Sequence, residues 1–239
     1  MAASTISAPK GELPVYVATP DGPGPWPGVV VIHDALGMTQ DLRNQADWLA
    51  SEGHLAVAPD LFAGRGKLTC MVSVMRETRA AGEGRSMTSR LRGRGWRGGT
   101  TARRGRGDRV LHGRGLALLL APDRGFAASS VNYGAAPKSA YTADFLRRAC
   151  PIVGSYGGTD RTLRGAAGRL DRVLTAVGVE HDVKEYPGAG HGFLNDHEGA
   201  GDKLPAVIAI MARFSGMGYN EAATQDARRR IAAFFDAHL

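Results

Sequence analysis

The sequence predicts an α/β protein: a mostly parallel central sheet flanked by helices. Three observations predict it. Short β-branched apolar runs alternate with segments whose apolar residues recur at helical spacing. The first run, Val29 to His33, is apolar almost throughout, the pattern of a strand covered on both faces. Two glycine-rich loops, each just past an expected strand, carry an acid and a histidine, Asp160 and His191.

The elements follow in order. Val29 to His33 leaves a Gly/Pro-rich stretch, Pro20 to Gly28. Thr39 or Asp41 can cap a helix through Ser51, with Leu42, Ala46 and Leu49 on one face and Gly53 as its stop. Leu55 to Ala58 is a short strand, and Pro59-Asp60-Leu61 turns out of it. Val72 to Ala80 fits a helix, as does Ala117 to Ala121. Phe126 to Val131 and Ile152 to Tyr156 read as strands. Leu163 to Val177 repeats Leu163, Ala167, Leu170, Leu174 and Val177 at helical spacing. His181 to Tyr186 alternates as a strand, and Asn220 to Leu239 closes the chain as an amphipathic helix.

The 239 residues are 43% hydrophobic, enough for one sizeable core, so a single domain over 1–239 is expected. No apolar run reaches the length of a membrane span. Met1 to Lys10 is small and polar, without the apolar region of a secretory signal. Two cysteines, Cys70 and Cys150, suit a reducing compartment, and the cytoplasm is the expected one. The net charge of +7 is local. Arg85 to Arg114 holds ten arginines against one acid, Asp108, which exceeds the whole surplus and leaves the rest of the chain slightly acidic. That distribution argues against a basic nucleic-acid-binding face spread over folded elements.

Asp160 follows its strand through Gly157-Gly158, and His191 lies between Gly190 and Gly192 after the next strand. An imidazole can take a nucleophile's proton, and a carboxylate fixes its tautomer and stabilises its cation. Acid then histidine is the second half of the α/β-hydrolase chain order. Taken singly, Asp160 also fits a helix cap before Thr162, and His191 an ordinary loop histidine. His33 and Asp34 end the first buried strand, where such folds place a loop donating to the oxyanion.

Six segments, VVVIHDALGM, APDLF, FAASSVNYG, GSYGGTD, YPGAGHGFLND and RIAAFFDAHL, resemble the dienelactone hydrolase family in order and spacing. The likeness covers about 29–80 and 116–239. It implies the α/β-hydrolase fold and a cysteine-dependent hydrolase of lactones or small esters, with neither metal nor organic cofactor. Carried over, Asp160 is the triad acid and His191 the base. Asp34 stands for the acidic residue near the nucleophile, the Ala35 N–H is an oxyanion donor, and Tyr133 lies on a loop near the substrate.

The family's nucleophile sits in a strand–elbow–helix motif, G-x-C-x-G, and Leu111 occupies its place here. Leucine cannot attack a carbonyl. Residues 85–115 also lack apolar periodicity and are expected to be loop-like. Translation out of frame accounts for them. One base on, permitted codons from Gly105 to Gly115 spell V-G-V-I-G-F-C-M-G-G-G, with cysteine at Leu111. The other shifted frame makes an amphipathic helix of Ser86 to Arg97. Other thiols and hydroxyls serve poorly: Cys70 precedes a helix, Cys150 starts a strand, and Ser129 and Ser130 lie within one. Two further readings stay open: a binding protein that keeps the pocket without catalysis, and nucleic-acid binding through the Arg/Gly stretch.

Overall fold

The computed structural model describes residues 2–8, 11–34, 36–63, 109–203 and 217–239. The expected helix at Val72 to Ala80 lies outside them, as do Ala35 and Cys70. The chain opens with an antiparallel hairpin, β1 (Ala2–Ala8) and β2 (Gly11–Ala18). Next come β3 (Gly28–Val31), helix α1 (Gln40–Ser51) and β4 (Leu55–Pro59). After them stand β5 (Arg109–Gly113), α2 (Gly115–Leu120), β6 (Ala128–Asn132), α3 (Ala143–Leu146) and β7 (Ile152–Gly157). The chain ends with α4 (Ala166–Val177), β8 (His181–Tyr186) and α5 (Glu221–Asp236).

One eight-stranded sheet has the order β1-β2-β4-β3-β5-β6-β7-β8. β2 meets β4 antiparallel, and every pairing from β4 to β8 is parallel. The chain moves outward from β3 to β4, then returns across to β5. The strand order therefore reverses between β3 and β5, and sheets of this kind place their crevice at the carboxyl ends of such a switch point.

The helices cover both faces as the apolar spacing requires. Thr39 caps α1, its hydroxyl accepting from the Leu42 N–H at 3.2 Å, and Gly53 follows at φ 89°. Leu42, Ala46 and Leu49 turn inward, and so does Asp41, which therefore does not cap the helix. In α5, Ala227, Ile231 and Phe235 form one buried stripe under the cap Asn220. α1 and α5 pack on one side of the sheet with Val29, Val31, Val110 and Val153. α2 and α4 pack on the other with Leu111, Val131 and Ile152.

Strand β5 departs from the expectation that 85–115 is loop-like. Its residues occupy the middle of the sheet, paired to β3 on one side and β6 on the other. The sequence allows this locally. Val110 faces α1 and α5, while Leu111 faces α2 and α4, so two consecutive apolar residues supply both buried faces. The polar member, His112, is buried but partnered: its Nε2 donates to Gln45 Oε1 at 3.3 Å, and its ring accepts from the Asn132 amide. The β1–β2 hairpin was also not anticipated, since β1 consists almost wholly of small residues and shows no apolar alternation.

Burial, and then the Arg228 cation, push the His112 pKa from 6.5 down to about 4. Folding thus favours the neutral ring. Between those values the unfolded chain binds a proton that the native chain does not, so stability falls as pH drops from 6.5 toward 4. The loss attributable to His112 is on the order of 3 kcal/mol. Denaturant titrations at pH 7 and pH 4 should show that His112→Gln loses less stability than the parent by about this amount. Equal losses would contradict the assignment.

Candidate active site

Five loops at the carboxyl edge each contribute a polar side chain: Asp34 after β3, Arg114 after β5, Tyr133 after β6, Asp160 after β7 and His191 after β8. The parallel register puts all five at the same edge.

His191 Nδ1–H donates to Asp160 Oδ2 at 2.6 Å. The other carboxylate oxygen, Oδ1, accepts from the Thr162 N–H at 2.8 Å and the Thr162 hydroxyl at 2.6 Å. Asp160 thus caps the following turn with one oxygen and orients the imidazole with the other. Its carboxyl is almost wholly buried. Burial alone would raise its pKa, but hydrogen bonds from Thr162 and His191 outweigh that and hold it below the usual carboxylate value. Burial and then the nearby Arg114 cation lower the His191 pKa below 6.5, against the pull of Asp160 and Asp34. A neutral imidazole with Nδ1 protonated leaves Nε2 as the acceptor. Nε2 has no partner among the described residues.

The loops abut because glycine permits it. A Cβ at Gly157 would lie 2.4 Å from the Gly190 carbonyl oxygen. Thr159 ties the same loops, donating from its amide and hydroxyl to Ala189 O at 3.0 and 2.8 Å.

Between β5 and α2 the chain turns at a single residue, Arg114, at φ −99° and ψ −136°. A Cβ at Gly115 would stand 2.0 Å from the Ala135 carbonyl oxygen, so only glycine fits behind the turn. Arg114 Nη2 forms an ion pair with Asp34 Oδ2 and donates to Asn195 Oδ1, each at 3.0 Å. Its guanidinium carbon stands 4.7 Å from the centre of the Tyr133 ring, which lies 5.4 Å from the His191 ring. Tyr133 takes φ 38° directly after β6, its amide donating to Ser155 O at 2.7 Å. Its hydroxyl donates to Asn195 Oδ1, and burial drives its pKa up, keeping the phenol protonated. Asn195 is held in turn by its Nδ2–H to Asp41 Oδ2 at 2.6 Å.

Asp34, Tyr133, Asp160 and His191 therefore converge. Leu111 does not join them. It lies in mid-strand, fully buried, with Val30 and Ser129 as its register partners. β5 runs two residues beyond it before turning, so the strand–helix junction falls on Arg114. Cys150 is largely buried, which pushes its thiol up to about 12. Ser129 and Ser130 are buried within β6. Arg114, Asn195, Asp41 and Thr162 were not foreseen. For Asn195 and Asp41 the only signal was polarity next to apolar residues, in Phe193-Leu194-Asn195 and in the first turn of α1. Among the described residues no three His, Cys, Asp or Glu side chains group as metal ligands. None of the described helices is long and apolar enough to cross a membrane.

The profile of the Dienelactone hydrolase family matches residues 13–99 and 112–239. The interruption is thus narrower than 85–115, and it includes Leu111. A protein of Azospirillum brasilense provisionally named carboxymethylenebutenolidase is 30% identical over 98% of both chains. One of Methylorubrum extorquens with the same name is 26% identical over 80% of this chain and 72% of its own. Among solved structures, a dienelactone hydrolase-like promiscuous phosphotriesterase from metagenomic libraries superimposes at TM-score 0.69, with 16% identity over 99% of this chain and 98% of its own. A provisionally named dienelactone hydrolase of Klebsiella pneumoniae gives 0.67, at 21% identity over 98% of both chains. These likenesses show the shared α/β-hydrolase fold.

The junction's tight fit carries its own test. Gly115→Ala should destabilise the fold by about 3 kcal/mol or more, because the clashing partner is backbone. Denaturant midpoints measure it, and an unchanged midpoint would contradict the geometry.

Proposed function

The chain belongs to the dienelactone hydrolase family of hydrolases, and from that premise we propose that it takes small carboxylic esters or lactones at the Asp160–His191 dyad but lacks the covalent step. One observation carries the reading: the dyad is complete in geometry, and the strand–helix junction facing it holds no nucleophile. In the intact mechanism a thiolate formed by His191 attacks the carbonyl. Backbone N–H groups, with Ala35 as a candidate donor, hold the oxyanion, and water resolves the acyl-enzyme. Asp160 fixes the imidazole and steadies its cation. Neither Leu111, the position that the sequence resemblance gives to the nucleophile, nor Arg114, the residue at the turn, can form an acyl bond. The parent chain is therefore at most a weak catalyst. Two cysteines favour a cytoplasmic setting.

Hydrolysis of p-nitrophenyl acetate by the parent, Arg114→Cys and Leu111→Cys tests this, with quenched-flow mass spectrometry to detect an acyl adduct. Arg114→Cys should acetylate and exceed the parent by roughly 10²-fold or more in kcat/KM. Leu111→Cys should stay at the parent level, because its thiol would be buried in an apolar cluster. An adduct on Leu111→Cys alone would move the nucleophile back to mid-β5. A parent matching Arg114→Cys would show that the covalent step was never lost.

A further inference from the structure

We propose that Arg114 converts this site to direct hydrolysis by water, its guanidinium holding the carbonyl oxygen while His191 activates the water. The inference rests on the ester-binding reading above and specifies its chemistry.

Three observations carry it. The first is position: Arg114 stands alone at the turn between β5 and α2, beside the dyad, with its Nη2 3.6 Å from where a Cβ on Gly192 would lie, next to His191. The second is how the cation is held. One nitrogen, Nη2, serves both Asp34 and Asn195, and the guanidinium carbon stands over the Tyr133 ring. A guanidinium has five N–H donors. Nη2 takes up the Asn195 bond and the Asp34 ion pair, a further hydrogen bond joins the side chain to Tyr133, and the remaining N–H groups belong to a side chain still 26% exposed. A fixed, partly exposed cation suits an oxygen that gains negative charge during reaction. The third is the base. Nδ1 of His191 is committed to Asp160, and Nε2 is open among the described residues. The anchor residues also restrain each other. Asp41 holds Asn195, and Asn195 holds both Arg114 and Tyr133.

The reaction balances without an acyl-enzyme. His191 Nε2 takes a proton from water as the water oxygen bonds to the ester carbonyl carbon. The carbonyl π pair moves to oxygen, and Arg114 N–H groups accept the charge by donating to it. The oxyanion collapses, the C–O bond to the alcohol breaks, and the imidazolium returns the proton to the leaving alkoxide. The products are the carboxylic acid and the alcohol, and the histidine is regenerated. Without a pre-bound nucleophile the reaction is slow, consistent with a weak parent activity.

The test uses the whole chain with p-nitrophenyl acetate, comparing the parent with Arg114→Lys, Arg114→Met and His191→Gln, each checked for a native melt. The parent should hydrolyse above buffer with no acetyl adduct. His191→Gln and Arg114→Met should each lose roughly 10- to 100-fold in kcat/KM. Arg114→Lys should retain part of the rate, since it keeps the charge and loses the fork. If Arg114→Met matches or exceeds the parent while His191→Gln falls, the guanidinium only fills space: the proposal fails and the ester site stands. A parent no faster than buffer overturns the proposal as well; acetylation of Arg114→Cys in that case preserves the ester-binding reading, and its absence removes both. An acetyl adduct on the parent would equally overturn the direct route.

Discussion

The 2.6 Å hydrogen bond from His191 Nδ1 to Asp160 Oδ2 is the contact on which the site depends. It can form only if the loops after β7 and β8 touch, and a side chain at Gly157 would forbid that. It also needs Asp160 ionised in a nearly buried place. Thr162 supplies the compensation, donating twice to the oxygen that His191 does not use. The arrangement sets the tautomer: with Nδ1–H spent on the carboxylate, Nε2 faces the crevice as an acceptor. Orientation, ionisation and loop contact are thus one constraint.

Opposite the dyad stands a residue of unusual character for its place. Strand–helix turns at this edge present a side chain toward the crevice, and here that side chain is a cation. Burying part of a guanidinium demands partners. Asp34 supplies charge, Asn195 supplies an oxygen, and Tyr133 supplies a π face. The three partners come from three different loops, so Arg114 also clasps the rim of the crevice. Asp41, buried in the first turn of α1, carries the arrangement into the scaffold through Asn195.

The sequence made the parallel sheet legible where apolar runs were strong. Val29 and Val31, Ile152 to Tyr156 and the stripe Ala227, Ile231 and Phe235 are buried as their spacing requires. Asp160 and His191 were readable because glycines mark the loops that carry them. β5 was obscured because its five residues are bounded by arginines, and its burial depends on neighbours distant in sequence, β3 and β6. His112 could not be recognised as a core residue, since Gln45 and Asn132 reach it only in the folded sheet. Arg114 was hidden for a related reason. The family resemblance put the elbow at Leu111, whereas strand pairing extends β5 to Gly113. Tertiary pairing, absent from local pattern, decides where a strand ends.

The most direct measurement is the titration of His191 by NMR on the isotopically labelled full chain. The dyad facing a cation predicts a neutral ring protonated at Nδ1, with a pKa below 6.5 that rises in Arg114→Met. A ring protonated at Nε2, or a pKa at or above 6.5 that ignores Arg114→Met, would contradict the arrangement of acid, base and cation.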